Sequence, residues 1–484
     1  MGFPKATAIS FAIQTEVASA YLDDLLMFIY QNYITPFYAH FANVRRWTLD
    51  GNEVLAFTFM DPEGLYSVDM EVALAEPVQV KMTPHGGVPQ KVLSRLKEDL
   101  IITIQMFEEK VRRSTLYFAW VPDKNVVPEK SSDRKRKVVS RIFLGNMVVF
   151  FVIFIVITYA VFFVTTELFG VPVEYFPIIL VAVQFIMVLF SDKIVKTMGD
   201  WPITASSPYV HVLQYHIPPE QFGAFRQRSR DTLLRIKREI YDKTLAFGRP
   251  IDAQAAQEAF SNNGLSIRPE NILTKTVNVH RIVKEAASKF NVSMPKIMLS
   301  NVIIPNAAAT GPTPRFGLVL ITTGLLVQLD EEEVLAVIGH EMSHVRRRDP
   351  LVLSALATAE YLLRVYYFWP LFYYFGLVYF FVALGAIYFI AKSFEARADL
   401  DSAAIMGRPE VLAAALRKIG YRRIQLERFR SNLLGSWLGW NPHPPVSFRI
   451  ERLESLKDPQ KIRHPFIQSV KDCVRGLIAE LQII

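Results

Sequence analysis

The stretch Asp330-Glu-Glu-Glu-Val-Leu-Ala-Val-Ile-Gly-His-Glu-Met-Ser-His344 decides how the rest of the chain is read. Asp330 is a helix-capping residue, and Glu333 three positions on completes an acidic variant of the capping box. Val334, Leu335, Val337 and Ile338 then supply an apolar face, so the segment reads as a helix with one side in a core. On that helix His340 and His344 stand at i and i+4, and their imidazoles project on the same side about one turn apart. Two imidazoles so placed can share a tetrahedral zinc ion, and Glu341 beside one of them can reach a water at that ion. A hydrolytic zinc site needs a third protein ligand and an open position. Glu395, in Ser393-Phe-Glu-Ala-Arg-Ala-Asp399, is the candidate, with Asp399 one turn on placed to orient a ligand from behind. Spacing alone allows equally that Glu395, Arg397 and Asp399 form a solvated charged face.

The chain between these two motifs tests that pairing. Residues 351–391 are 41 in number, and only Glu360 and Arg364 among them are charged. A helix of that length spans about 60 Å, two crossings of a ~30 Å hydrocarbon core. If His344 and Glu395 hold one metal, both ends of the run lie on one side and the crossings are even in number. Arg346, Arg347 and Arg348 before the run, and Lys392 and Arg397 after it, carry the charge of a cytoplasmic face. Pro370 and Gly376 mark a turn. Glu360 and Arg364, at i and i+4, are expected to pair or to face a bundle interior. A hairpin only partly embedded is the alternative.

A second hairpin precedes the motif. Residues 142–166 form a 25-residue run without charge, and 175–191 a 17-residue one, joined by an acidic turn at 167–174. The first is long enough to cross a bilayer; the second fits a short crossing or a buried soluble helix. Arg134, Lys135, Arg136, Lys137 and Arg141 lie before the pair and Lys193 and Lys196 after it, while the turn has no Lys or Arg. The positive-inside rule then predicts a multi-pass cell-membrane protein with both termini and the active site in the cytoplasm. Residues 1–30 include Lys5, Glu16, Asp23 and Asp24 and do not read as a cleavable signal peptide.

Composition sets the outer bounds. The chain has 484 residues, 51% hydrophobic and 21% charged, which suits two or three domains and excludes disorder. Its single cysteine, Cys473, excludes a disulfide scaffold and fits a reducing compartment. Net charge is +8, from 54 basic and 46 acidic residues, too mild and too dispersed for a nucleic-acid partner. Residues 1–133 read as a small α/β domain, with strands at 44–48, 54–60, 66–75 and 78–83 and a helix at 90–111. His40 and His85 there are isolated and read as structural. Residues 126–137 read as a linker, and 200–290 as soluble and mostly helical.

Five separate elements then occur in one order. They are Pro305-Asn-Ala-Ala-Ala-Thr-Gly311 with Leu318-Val-Leu-Ile-Thr-Thr-Gly-Leu-Leu326; the His340–His344 motif; Arg348-Asp-Pro350; Glu395-x-x-x-Asp399 after the hydrophobic hairpin; and His443-Pro-Pro445 followed by Arg449-Ile450. Over residues 275–457 this resembles the HtpX-type membrane zinc metalloproteases, relatives of the proteases that process CAAX prenyl proteins. Ala308, Ala309 and Gly339 depart from the residues expected there, and none is a ligand. Residues 1–133 match nothing in that family.

The resemblance implies a fold and a site. The expected fold is an α+β multi-domain membrane protein: the residue patterns above give the N-terminal α/β domain at 1–133 and the transmembrane hairpin at 142–191, and the resemblance adds a mostly helical zincin-type protease domain at 200–484. That last domain has a small edge-strand sheet and is interrupted by the hairpin at 351–391. One zinc ion per chain would sit on His340, His344 and Glu395, with Asp399 behind them and Glu341 as general base. Asn306, Ala307, Ala308, Leu318, Val319 and Leu320 would form the edge strand that binds extended polypeptide by β-augmentation. His443 would be a fourth zinc contact or an oxyanion donor, and Arg449 a partner near the metal; a loop histidine before two prolines is the plain alternative for His443. The partners implied are a polypeptide substrate and a lipid bilayer. The implied activity is membrane-anchored zinc endopeptidase action on cytosol-exposed or misfolded membrane proteins. A catalytically silent membrane scaffold or regulator that retains the site is the alternative. A transporter fits least, since half the mass lies in soluble segments.

Overall fold

Alternating apolar residues over 54–83 build one face of a sheet, and the connections between the strands are too short for anything but antiparallel pairing. The structure is a computed structural model describing residues 8–17, 21–49, 51–122, 156–311, 313–428, 430–439 and 441–481. The basic run at 134–141 and the first part of the 142–166 run lie outside the described residues. The chain divides into two units, Met1–Phe118 with His211–Lys275, and Ala119–Val210 with Thr276–Ile484. Residues 211–275, read from the sequence with the C-terminal region, fall in the first.

In the first unit β1 (Ile9–Ile13), β2 (Phe41–Leu49), β3 (Asn52–Met60), β4 (Tyr66–Ala73) and β5 (Val78–Gly86) form a sheet in the order β1–β5–β4–β3–β2. Every pairing is antiparallel. Val68, Met70 and Val72 on β4 point inward and are fully buried. Helix α1 (Gln90–Arg113) lays Leu93, Leu96, Leu100, Ile104 and Phe107 on them. Each such side chain, fully buried, contributes about 1.5–3 kcal/mol. The sequence reading of an α/β domain is corrected to a meander plus helix, because Gly51 and Gly64, both at positive φ, close tight turns where a crossover helix would be needed. Strands Thr115–Trp120, Tyr209–His216 and Ile272–Asn278 form a further sheet with Tyr209–His216 in the middle.

The second unit is mostly helical around a four-stranded sheet. Its strands are β6 (Trp201–Ile203), β7 (Lys296–Ser300), β8 (Ala307–Thr310) and β9 (Leu318–Thr322), ordered β8–β9–β7–β6. β9 runs parallel to β7 and antiparallel to β8, pairing Ala307 with Ile321 and Thr310 with Leu318. The expected edge strand is therefore corrected in part. Leu318, Val319 and Leu320 lie on an inner strand, buried on both faces as an unbroken apolar run demands, and the edge is β8. Asn306, just before β8, is held by Thr322, whose hydroxyl accepts from the Asn306 N–H at 2.9 Å. Past β9, Gly324 must be glycine: a Cβ there would come 2.0 Å from the Ile303 carbonyl oxygen.

The helices of this unit that matter below are α2 (Val173–Leu189), α3 (Ser191–Lys196), α4 (Val279–Lys289), α5 (Glu331–Arg347), α6 (Asp349–Tyr366), α7 (Trp369–Met406), α8 (Pro409–Glu427), α9 (Val446–Glu454) and α10 (Pro465–Leu481). Among the described residues only α7 is both long and apolar enough to cross a membrane, with an 18-residue window of mean hydropathy 2.0 that is only 6% buried. Val156–Leu168 and α2 are apolar but shorter. The chain turns at Tyr367 and Phe368, so Pro370 sits in the first turn of α7, where its missing N–H costs nothing, and Gly376 at φ 41° kinks the helix. Arg364 Nε donates to Glu360 Oε1 at 2.9 Å, the pairing their spacing predicts. Helix α6 packs on α7 and on α2, and the Tyr366 hydroxyl donates to the Glu174 carbonyl at 3.0 Å.

Candidate metal centre

The helix start forms as its sequence dictates. Asp330 Oδ1 accepts the Glu333 N–H at 2.8 Å, and Glu333 Oε2 accepts the Asp330 N–H at 3.0 Å. Lys418 Nζ reaches the same Glu333 oxygen at 2.7 Å and ties the start of α5 to α8. Farther along α5, a Cβ on Gly339 would lie 2.7 Å from Met406 Cε and 3.0 Å from Ser402 Oγ. Glycine there lets α5 and α7 approach closely, and the close approach brings Glu395 of α7 opposite the two histidines of α5.

The three sequence-predicted ligands converge. His340 Nε2 and His344 Nε2 are 3.2 Å apart. Glu395 Oε2 lies 3.3 Å from the first and Glu395 Oε1 3.3 Å from the second. All three donor atoms fall within 4.8 Å of one another. Each imidazole faces a carboxylate at its other nitrogen: His340 Nδ1 is 2.9 Å from Asp399 Oδ1, and His344 Nδ1 is 2.7 Å from Asp349 Oδ2. A carboxylate only accepts, so Asp349 sets the proton on His344 Nδ1; Asp399 lies close to His340 Nδ1 without a well-angled hydrogen bond, and a metal at the site would take the Nε2 lone pair of each ring. Two lone pairs and a carboxylate pointing at one spot repel unless a cation lies between them. The donor set, two imidazoles and a carboxylate, is the one zinc takes in hydrolytic sites. With no cation between them, the same groups draw protons onto the imidazoles instead, so a metal would bind in competition with protons. Burial opposes charge on His344, yet Glu395, Asp349 and Glu341 raise its pKa well above the ordinary histidine value. Burial also works against Glu395, which His443, His344 and His340 nevertheless hold well below the usual carboxylate range.

The remaining predicted residues fall into place around this cluster. Asp399 is 1% exposed and takes a two-pronged contact from Arg449, Nε at 2.8 Å and Nη2 at 2.7 Å. Burial alone would raise the Asp399 pKa, and Arg449 more than reverses that. Arg449 thus touches Asp399, not the ligands. His443 Nδ1 lies 2.7 Å from Glu395 Oε2. Glu341 stands apart from the imidazole nitrogens, its Oε2 accepting the Ala309 N–H of β8 at 2.8 Å. Arg397 is 7% exposed, so the 395–399 segment is no solvated face.

Sequence reasoning missed three contacts. Asp349 orients His344 and is itself gripped by Arg397. The Ala309 N–H holds Glu341 against the edge strand. Lys392, 1% exposed, donates to the Gly439 carbonyl at 3.0 Å and so ties α7 to the loop that carries His443. A carboxylate five residues after His344, just past the helix end, was the available signal for the first. Asp349→Asn keeps the shape but weakens the acceptor behind His344. Zinc affinity is expected to fall about 10–100-fold, read by competition with a metallochromic chelator; unchanged affinity would remove Asp349 from this role.

Residues 274–457 match the family model described as peptidase family M48. Among curated relatives, a "Protease HtpX homolog" of Methanothermobacter thermautotrophicus is 33% identical over 162 residues, 31% of this chain and 62% of that protein. One from Syntrophotalea carbinolica is 34% identical over 208 residues, 36% of this chain and 75% of the relative. One from Kineococcus radiotolerans is 30% identical over 246 residues, 42% and 83% of the two chains. No solved structure matches the chain. A helix carrying His340 and His344, a carboxylate brought to it from beyond a hydrophobic hairpin, and relatives matched over most of their length make this chain a member of peptidase family M48, of the HtpX type.

Proposed function

We propose that the protein is a membrane-anchored zinc endopeptidase that cuts cytosol-exposed or misfolded membrane proteins. The observation that carries this reading is the convergence of His340, His344 and Glu395 beside Glu341, which in turn touches the edge strand β8. His340, His344 and Glu395 would hold a zinc ion, which would supply Lewis acidity toward a carbonyl and a water. Glu341 is the general base: it takes the proton of the attacking water and delivers it to the leaving amine. Asp349, braced by Arg397, fixes His344 in the tautomer that leaves Nε2 free, and Asp399, braced by Arg449, stands behind His340 Nδ1. His443 gives its Nδ1 proton to Glu395, so its Nε2, on a side chain 40% exposed, would serve as an oxyanion donor only in the doubly protonated imidazolium form. In an antiparallel pair both backbone groups of one residue point the same way. The outward Ala309 N–H, taken by Glu341, marks which way the strand faces and leaves the Ala307 backbone groups and the Ala309 carbonyl to pair with an extended substrate.

The membrane reading rests on α7, whose Leu371, Tyr374, Leu377, Val378 and Val382 are exposed apolar groups that water would penalise. With α6 it makes the 351–391 hairpin that interrupts the protease region of the second unit, and the basic flanks favour both termini in the cytosol. The test is direct. Full-length protein from membranes should stay with them through an alkaline wash and contain one zinc per chain. It should cleave an unfolded protein, lose that activity to a chelator, and regain it with zinc. A zinc-loaded, folded protein that leaves every unfolded protein intact would instead support the silent scaffold.

A further inference from the structure

The metal site meets the apolar runs at three independent places. Glu395 lies four residues past Ala391, the end of the 351–391 run, on the same helix α7. His344 precedes Leu351, where that run begins, by seven residues, through the tight turn at Arg348. The edge strand is held at its far end by the other hairpin: Thr310 Oγ1 donates to Ser191 Oγ at 3.0 Å, and Ser191 closes the 175–191 run. Helix α3, which begins at Ser191, then lies against the sheet. Its Val195, with the following Met198, packs on Met298, Leu318 and Leu320, and Asp192 pairs with Lys296 at 3.3 Å.

These contacts fix a height. Ala391 is 5% exposed and Phe389 packs on Ala396, Trp437 and Cys473, so the exposed part of α7 ends at Ala386, and the nine residues from there to Glu395 rise about 13 Å. A bilayer of about 40–45 Å with a ~30 Å core leaves roughly 5–8 Å of headgroup layer on each side. The ligands and the Thr310 end of β8 therefore stand a few ångströms beyond the headgroups, about four extended residues from the hydrocarbon edge. Lys193 and Lys196 follow the 175–191 run and Arg346 and Arg347 precede the 351–391 run, the basic flanks expected beside anionic lipid.

We propose that the cleft acts as a ruler from the bilayer surface, and that its preferred substrates are the juxtamembrane segments of other membrane proteins. This rests on the membrane-anchored protease reading above. An extended chain advances about 3.3 Å per residue, so about four residues carry a substrate from its own transmembrane helix up to β8. Bonds farther along a flexible tail must return to the same height. Their effective concentration falls as about the −3/2 power of tether length, so a bond 40 residues out is presented roughly twentyfold less than one 5 residues out.

The experiment uses the full-length zinc enzyme in proteoliposomes. One substrate is a single transmembrane helix followed by a structureless cytosolic tail, built from repeats of one cleavable peptide, and the other is the same tail without its helix. Cuts are mapped by mass spectrometry at early times. The anchored tail is expected to be cut mainly within about ten residues of the helix, with a near-to-far ratio of roughly twentyfold per bond, and the free tail evenly. Even or distal cutting of the anchored tail, alongside cutting of the free one, overturns the ruler and leaves the protease reading standing. If the zinc-loaded enzyme cuts neither tail, the protease reading falls and the ruler with it.

Discussion

Glu341→Gln yields a folded, zinc-loaded protein in which proteolysis falls by about 10²–10⁴-fold, the usual worth of a general base. Glu341 is not among the groups that converge on the metal position, and its Oε2 accepts the Ala309 N–H at 2.8 Å. A glutamine oxygen can keep that contact, so the edge strand retains its support while the amide nitrogen, which cannot accept a proton, turns to the water. Metal content and melting temperature should therefore match the wild type, and only turnover of an unfolded protein should collapse. Removing a ligand separates the two effects. His344→Ala or Glu395→Ala deletes one of three donors, and zinc itself should be lost or held far more weakly. Equal cleavage by Glu341→Gln and wild type, at equal zinc occupancy, would show that another group takes the proton.

What was legible in the sequence was local. The capping box at Asp330, the helix and the i, i+4 histidines depend on contacts within two turns, and the structure returns them as read. Glu395 was legible at longer range only as a candidate: spacing left it level with a solvated charged face, the basic flanks at both ends of the hairpin fitted the pairing, and the family resemblance made it a ligand. Asp349 was not legible for a physical reason. On a continuing helix a residue five positions after His344 points well away from it, about 140° around the axis. The left-handed turn at Arg348, φ 59°, breaks the helix and folds Asp349 back beneath the imidazole. No propensity signals that turn, since arginine seldom adopts it. The identity of the edge strand failed differently. The Leu-Val-Leu-Ile run is what a strand flanked on both sides looks like, and it is β8, with its small alanines, that β9 leaves at the rim. The assignment of 211–275 to the first unit rests on contacts far apart in sequence, which spacing does not encode.

The pair behind His340 gives the largest expected effect on stability. Asp399 and Arg449 are 1% and 7% exposed and face each other through two hydrogen bonds. Breaking one side of such a pair leaves a buried charge without its partner, which costs about 3–5 kcal/mol, whereas replacing both by apolar groups of similar size is often neutral or better. Arg449→Met and Asp399→Leu should each destabilise the protein by about that amount. The double variant should recover most of the loss, a coupling well above the ~0.5 kcal/mol expected of independent sites. Zinc binding should not recover with it. The double variant still lacks the carboxylate behind His340, so its zinc affinity should stay about 10–100-fold below wild type. Denaturant melts of all four proteins give the first result and chelator competition the second. A double variant no more stable than the singles would mean that the two residues do not act as a unit. One that binds zinc as tightly as wild type would mean that His340 needs no carboxylate behind it, and that Asp399 serves the fold and not the metal.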